Sequence, residues 1–320
     1  MSTSHLTMTN DPILTAGDRD SELAAIVALM RTGAVGPAYG ISALVDQVGS
    51  AVTLLQMLLD GTMTSGQQSL LAAVPQDEIG RALHDVQEWL AAGIDVRSIL
   101  DADYPSNLHG IFNRPPLLFV RGRWQSEVDA RAVAVVGTRK PTEDGKKRAQ
   151  RVAHALVRAG YTVLSGLAAG IDAAAHAAAL EVGGRTCAVM GTGIHRIYPA
   201  QNRRLAEEIL ASGGALLSQF FPDQPPTKWT FPYRNVVMSG LALATVVIEA
   251  AETSGARMQA RFALEHGRTV FLPNSLVEEH DWAQRYSTEG MYGTRAIKVT
   301  SAEEIIERLH GASLDGAAAR

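Results

Sequence analysis

Between Val133 and His176 the chain runs strand, helix, strand, and no other stretch restricts its possible folds as much. The run Val133-Ala134-Val135-Val136 has the length and β-branched content of a buried strand. It stops at Gly137-Thr138-Arg139-Lys140. A helical pattern follows from Asp144 to Arg158, with Ala149, Val152, Ala153, Leu156 and Val157 apolar and Gly160 as its C-cap. A second strand, Tyr161 to Leu164, then leads into Ser165-Gly166 and Gly170-Ile171-Asp172. Such a β-α-β unit predicts a sheet whose ligands bind at the glycine-bearing strand ends. Glycine admits close backbone approach there, and helix-opening N–H groups favour an anion.

The alternation continues. Strands are expected at 133–136, 161–164, 186–190, 215–218, 244–248, 269–272 and 296–299, mostly with helices between them. Residues 128–310 therefore read as an α/β domain with a doubly wound, mostly parallel sheet. Residues 21–93 read as a small all-α domain, with a turn at 32–37 and another at Gly49. Those glycine turns suit a nucleic-acid backbone, as in helix-hairpin-helix modules, or plain packing. The scarcity of lysine and arginine favours packing. Residues 94–127 connect the two domains. Arg114-Pro115-Pro116 excludes helix, and Leu117 to Val120 reads as a strand joining the main sheet. Residues 1–20 and 311–320 are expected to be flexible tails.

A net charge of −4 argues against a generally basic nucleic-acid coat, but a phosphate responds to local charge. A single cysteine, Cys187, excludes an intrachain disulfide and a cysteine-rich metal site, and it reads as a buried strand residue. No apolar run reaches the roughly 18 residues of a membrane span, and the N-terminus has no signal-peptide pattern. A cytoplasmic protein is expected.

Three turns and two loops carry the polar chemistry. In the first turn Gly137, Thr138, Arg139 and Lys140 combine a hydroxyl, two cations and helix-opening amides, which suits phosphate. Neither a GxGxxG fingerprint nor a GxxxxGK[ST] loop occurs, so no nucleotide cofactor is expected. The second turn carries Ser165, Gly166, Gly170, Asp172 and His176. Ser165 is not in a GxSxG elbow, which disfavours nucleophilic catalysis; Asp172 suits a cap, and His176 suits a loop-orienting or ligand contact. The third carries Gly191 and Gly193, then Tyr198-Pro199, Asn202, Arg203 and Arg204. Phe231-Pro232-Tyr233-Arg234-Asn235 joins aromatics to a cation, as single-stranded nucleic acid requires. Glu249, at a strand end before Ser254-Gly255, suits a ligand hydroxyl or a loop-fixing role.

Taken in order, VAVVGTR, SGLAAGIDAAAH, GTGIHRIYPAQN, FPYRN and VVIEAAETSGARMQARFALEHGR resemble the DNA-processing protein A family, also called DprA or Smf. Asp103-Tyr104-Pro105 and RPPLLFVRG are similar to its lead-in, so the resemblance spans about residues 21–300. It implies an extended Rossmann-like fold behind a sterile-alpha-motif-like domain. It implies binding of single-stranded DNA without strong sequence preference, dimerisation, and delivery of strands to the RecA recombinase in natural transformation, with no catalysis. By position, Gly137, Thr138, Arg139, Ser165, Gly166, Gly170, His176, Gly191, Gly193, Asn202, Arg234 and Asn235 would face DNA.

The chain departs from the family pattern in places. Val236 stands where the family usually has arginine, Ala200 where a basic residue is frequent, and Asn274 where glycine is common. Arg257 replaces a usually apolar residue, and Glu278 to Trp282 replaces a glycine- and asparagine-rich loop. A C-terminal winged-helix domain, found in some members, is not expected. The missing cations motivate an alternative, a Rossmann-like sensor of a nucleotide or signalling ligand. A third reading, cleavage of a nucleotide bond by Glu249 or Asp172, lacks the PGGxGT loop of the related phosphoribohydrolases.

Overall fold

Every strand expected for the α/β domain forms in the computed structural model, which describes residues 14–32, 39–63 and 74–318. Most of the expected N-terminal tail, most of the 32–37 turn, and residues 319–320 lie outside the described residues. The chain divides into two compact units, Met1–Leu100 and Asp101–Arg320.

The first unit holds α1 (Arg19–Arg31), α2 (Tyr39–Val48), α3 (Ala51–Leu59), α4 (Gln76–Ala91) and a short strand, β1 (Asp95–Ser98). Helix α1 starts two residues before the apolar pattern because the Asp18 carboxylate accepts the Ser21 N–H at 3.0 Å. From Leu23 to Leu29 the helix is buried on every side, and it packs on α3 and α4. Its buried Glu22 accepts the N–H groups of Ala51 (2.6 Å) and Val52 (3.1 Å), capping α3 from another helix. The basic residues of this unit, Arg19, Arg31, Arg81 and Arg97, all bond to acceptors within it. That agrees with a packing role rather than a phosphate-binding one.

In the second unit the strands are β2 (Leu117–Gly122), β3 (Ala132–Val136), β4 (Thr162–Ser165), β5 (Thr186–Val189), β6 (Ala215–Ser218), β7 (Ala244–Val247), β8 (Thr269–Pro273) and β9 (Ile297–Val299). They lie in the order β2-β6-β5-β4-β3-β7-β8-β9. All neighbours are parallel except β2, which pairs antiparallel with β6 through Phe119 and Ser218. The LLFV run thus joins the main sheet as expected. Strand β3 lies between β4 and β7. After β3 the chain builds outward through β4, β5 and β6, then returns to β3 with β7, so the sheet switches direction between β3 and β7. Open α/β sheets bind ligands at that place.

Helices α5 (Glu143–Arg158) and α6 (Ile171–Glu181) pack together over β3 and β4, burying Ala149, Val152, Leu156, Ala175 and Ala178. The remaining major helices are α7 (Arg203–Ala211), α8 (Thr230–Leu241), α9 (Gly255–Glu265), α10 (Asn274–Glu279), α11 (Asp281–Thr288) and α12 (Ala302–Ala318). Helix α12 runs on past residue 311: alanine sustains helix, and Gly311 and Gly316 each cost only about 1 kcal/mol. The atypical Glu278–Trp282 stretch joins α10 to α11. There Trp282 is fully buried and its indole N–H donates to the Ala250 carbonyl at 3.3 Å. Among the described residues no single helix is long and apolar enough to cross a membrane.

Candidate functional site

A cleft of about 500 Å³ opens at the switch point, between the turn after β3 and the segment joining β7 to α9. Gly137, Thr138, Arg139 and Lys140 form one wall, Thr253, Ser254 and Gly255 form another, and Phe231 and Arg234 of α8 contribute a third.

The turns work differently from the sequence expectation, because internal carboxylates already occupy their amides. Glu249 accepts the Thr142 N–H at 3.0 Å and the Thr142 hydroxyl, just ahead of α5. The Thr142 hydroxyl also caps the Gly145 N–H at 2.9 Å. The Glu249 carboxylate thereby sits beside the N-terminus of α5, where phosphate was expected. In the second turn Asp172 accepts the N–H groups of Gly166 (3.1 Å) and Ala168 (3.4 Å). Between them Leu167 is held at φ +57°, a left-handed conformation unusual for leucine. Asn202 supports this strained residue by donating to its carbonyl at 2.9 Å. Burial pushes the Asp172 carboxyl above the usual carboxylate range, while the Arg234 guanidinium nearby pulls it back.

Several expected DNA-facing residues bond within the fold, and of these Arg234 and Asn235 also line the cleft. Ser165 is buried and donates to the Val135 carbonyl at 2.6 Å. Arg234 is buried and donates to the Val189 carbonyl and to Asn235 Oδ1, both at 3.0 Å. Asn235 in turn donates to the Gly255 carbonyl at 3.2 Å, tying α8 to the start of α9. The guanidinium of Arg234 lies where a Cβ at position 166 would sit, which requires glycine there. Gly170, at φ +84°, presses its backbone against Thr138 and Arg139 and holds the first two turns together. Val236, at a family arginine position, is buried. Gly193 packs against Phe221 and Pro222, and Arg203 is exposed at the start of α7 without lining the cleft.

His176 does not line the cleft. It is fully buried, with Nδ1 at 2.7 Å from the Thr186 hydroxyl. That hydroxyl donates to the Val163 carbonyl at 2.8 Å, so Nδ1 carries the proton and donates. Nε2 has no partner, and burial pushes the pKa down to about 3. The unfolded chain takes up a proton near pH 6.5 and the native state does not, so stability falls as pH drops from 6.5 toward 3. Between pH 7.5 and 5 this one group is expected to remove about 2 kcal/mol. Urea midpoints at the two pH values check this, because His176→Asn keeps a donor for Thr186 and is expected to lack that loss.

The surface left to a ligand is aromatic and cationic. Arg139 is exposed, and its guanidinium stands over the Phe231 ring at 5.4 Å. Phe231 contacts Tyr198 at 5.7 Å between ring centres. Gly191 lies directly beneath Phe231, where any side chain would displace the ring. Trp229 meets Tyr233 edge-on at 5.9 Å. Tyr198 and Trp229 are 43% and 50% exposed, unusual for rings of this size. Lys140 and the start of α9 complete the rim. Sequence reasoning marked Arg139 and FPYRN but passed over Trp229 and Thr142. The Lys228-Trp229 pair preceding FPYRN was the available signal for the former.

Burial pushes Cys187 up to about 12, so its thiol stays protonated within β5. Among the described residues no group of three or more histidine, cysteine or acidic side chains is placed to hold a metal.

A family model described as DNA recombination-mediator protein A matches residues 95–310. The DNA processing protein DprA of Bacillus subtilis is 36% identical over 251 residues, covering 77% of this chain and 83% of that protein. The chain spans about half the length of some other curated relatives, 45% of one and 54% of another. The X-ray structure of DNA processing protein A from Streptococcus pneumoniae is 29% identical, with a TM-score of 0.68 over 89% of this chain and 96% of that one. DNA processing protein A from Helicobacter pylori, solved for its single-stranded DNA binding mode, shares the fold at 24% identity. Its TM-score is 0.59 over 68% of this chain and 96% of that one.

Proposed function

The chain belongs to the DNA recombination-mediator protein A family, and from that premise we propose that its switch-point cleft binds single-stranded DNA without marked sequence preference. The observation that carries this reading is the Arg139–Phe231 pair beside the exposed ring of Tyr198, with a further exposed ring, Trp229, just ahead of the helix that carries Phe231. Bases stack on such rings whatever their identity, at about 1–3 kcal/mol each, while Arg139 and Lys140 meet the backbone phosphates. No reacting centre is required. Asp172 and Glu249, the carboxylates nearest the cleft, are engaged in holding turns, which speaks against bond cleavage by either. The protein acts in the cytoplasm as a homodimer, protecting incoming or processed strands and passing them to the RecA recombinase.

Anisotropy of labelled oligo(dT) tests the DNA-binding step. With roughly three phosphates neutralised, affinity is expected to fall about tenfold or more between 50 and 200 mM salt. Duplex DNA and free nucleotides are expected to compete poorly. Binding that is undetectable or indifferent to salt sinks the reading, and displacement by one free nucleotide favours the ligand-sensor alternative.

A further inference from the structure

A second cleft, of about 310 Å³, lies at the C-terminal ends of β7, β8 and β9. Its floor is apolar, made by the buried side chains of Val152, Val246, Ile248, Val299 and Ile305. Two arginines from consecutive turns of α5 stand at its rim. Arg148 donates to the Ser275 hydroxyl at 3.0 Å, and among the described residues the exposed Arg151 makes no hydrogen bond or close ion pair. The one carboxylate lining the cleft, Glu303, is held below the usual range first by its own backbone N–H and the Ser301 hydroxyl, and then by Arg158 and Arg151. It neutralises part of the positive rim and leaves two guanidinium groups against one carboxylate.

An apolar floor under a cationic rim suits a flat group attached to an anion. A cavity of this size lies at the small end of ligand sites, and strand C-termini are where open sheets place them. Arginine meets phosphate oxygens in a planar, two-point geometry. We infer that this cleft is a second phosphate site, which seats a nucleotide unit with its phosphate between Arg148 and Arg151. The unit comes either from a free mononucleotide or from a DNA strand. The residues that build the site belong to none of the walls of the first cleft, so the inference stands apart from DNA binding there.

Titration of the full-length protein with adenosine monophosphate, and separately with labelled oligo(dT), distinguishes the two sources. Arg139→Ala serves as the control confined to the first cleft. If the source is a free nucleotide, adenosine monophosphate binds wild type and Arg139→Ala alike, and Arg151→Glu weakens it by about tenfold or more. If the source is a strand, Arg151→Glu weakens oligo(dT) by a similar factor and adenosine monophosphate does not bind. Arg148→Ala removes the Ser275 contact as well, so Arg151→Glu, at a side chain with no bonded partner, is the cleaner variant. An unchanged urea midpoint shows that it folds. The inference is overturned if Arg151→Glu leaves both ligands unaffected. It is also overturned if adenosine monophosphate binding is lost in Arg139→Ala and kept in Arg151→Glu.

Discussion

Asp172→Ala is expected to lower the unfolding free energy by about 3–5 kcal/mol, measured as a fall in the urea midpoint at constant m-value. The change removes the acceptor of the Gly166 and Ala168 N–H groups. Each buried amide left unpaired costs about 1–3 kcal/mol. It also deletes the negative charge facing the buried Arg234 guanidinium, whose own pKa burial already depresses and Asp172 supports. Leu167, held at φ +57° by this turn, then loses the frame that imposes its conformation. Asp172→Asn keeps an acceptor of the same shape and is expected to lose clearly less. Equal losses in the two variants would assign the whole effect to charge; no loss in either would remove Asp172 from its structural role.

Arg139→Ala and Phe231→Ala are each expected to weaken oligo(dT) binding by about tenfold or more, but with different salt signatures. Removing Arg139 deletes one phosphate contact, so the slope of log affinity against log salt flattens by about 0.7. Removing Phe231 deletes a stacking face and leaves the slope almost unchanged. Because the guanidinium stands over the ring at 5.4 Å, the two losses are not independent, and the double variant falls short of their sum. Identical salt slopes in the two single variants would contradict this division of labour between stacking and charge.

The α/β architecture was legible because its signals are local. Strands such as Val133 to Val136 are continuous apolar runs of the right length, and the glycines between strands and helices sit where the chain must turn tightly. Arg139 and the FPYRN segment were legible for a similar reason: side chains of that chemistry rarely lie beside glycine turns without a polar or stacking partner. His176 misled because a histidine one helical turn from an aspartate resembles a polar site, whereas α6 turns it into the core against Thr186. Asn202 and Ser165 likewise satisfy a backbone carbonyl inside the fold, and Arg234 does so while lining the cleft.

By itself the sequence determined the order of strands and helices, the turns at which a ligand can approach, and the family to which those turns belong. Periodicity and residue type act over a few residues, so one-dimensional order suffices to read them. Only the tertiary structure decided which polar groups remain for a ligand. Glu249 reaches the helix start at Thr142 across 107 residues of chain, and the contact exists only once β7 lies beside β3. With Thr142 and the Gly166 turn already held by carboxylates, the exposed Arg139 and Trp229 and the half-buried Phe231 remain for the proposed DNA contact. A buried donor must find its acceptor somewhere in the folded chain, and no local pattern records where.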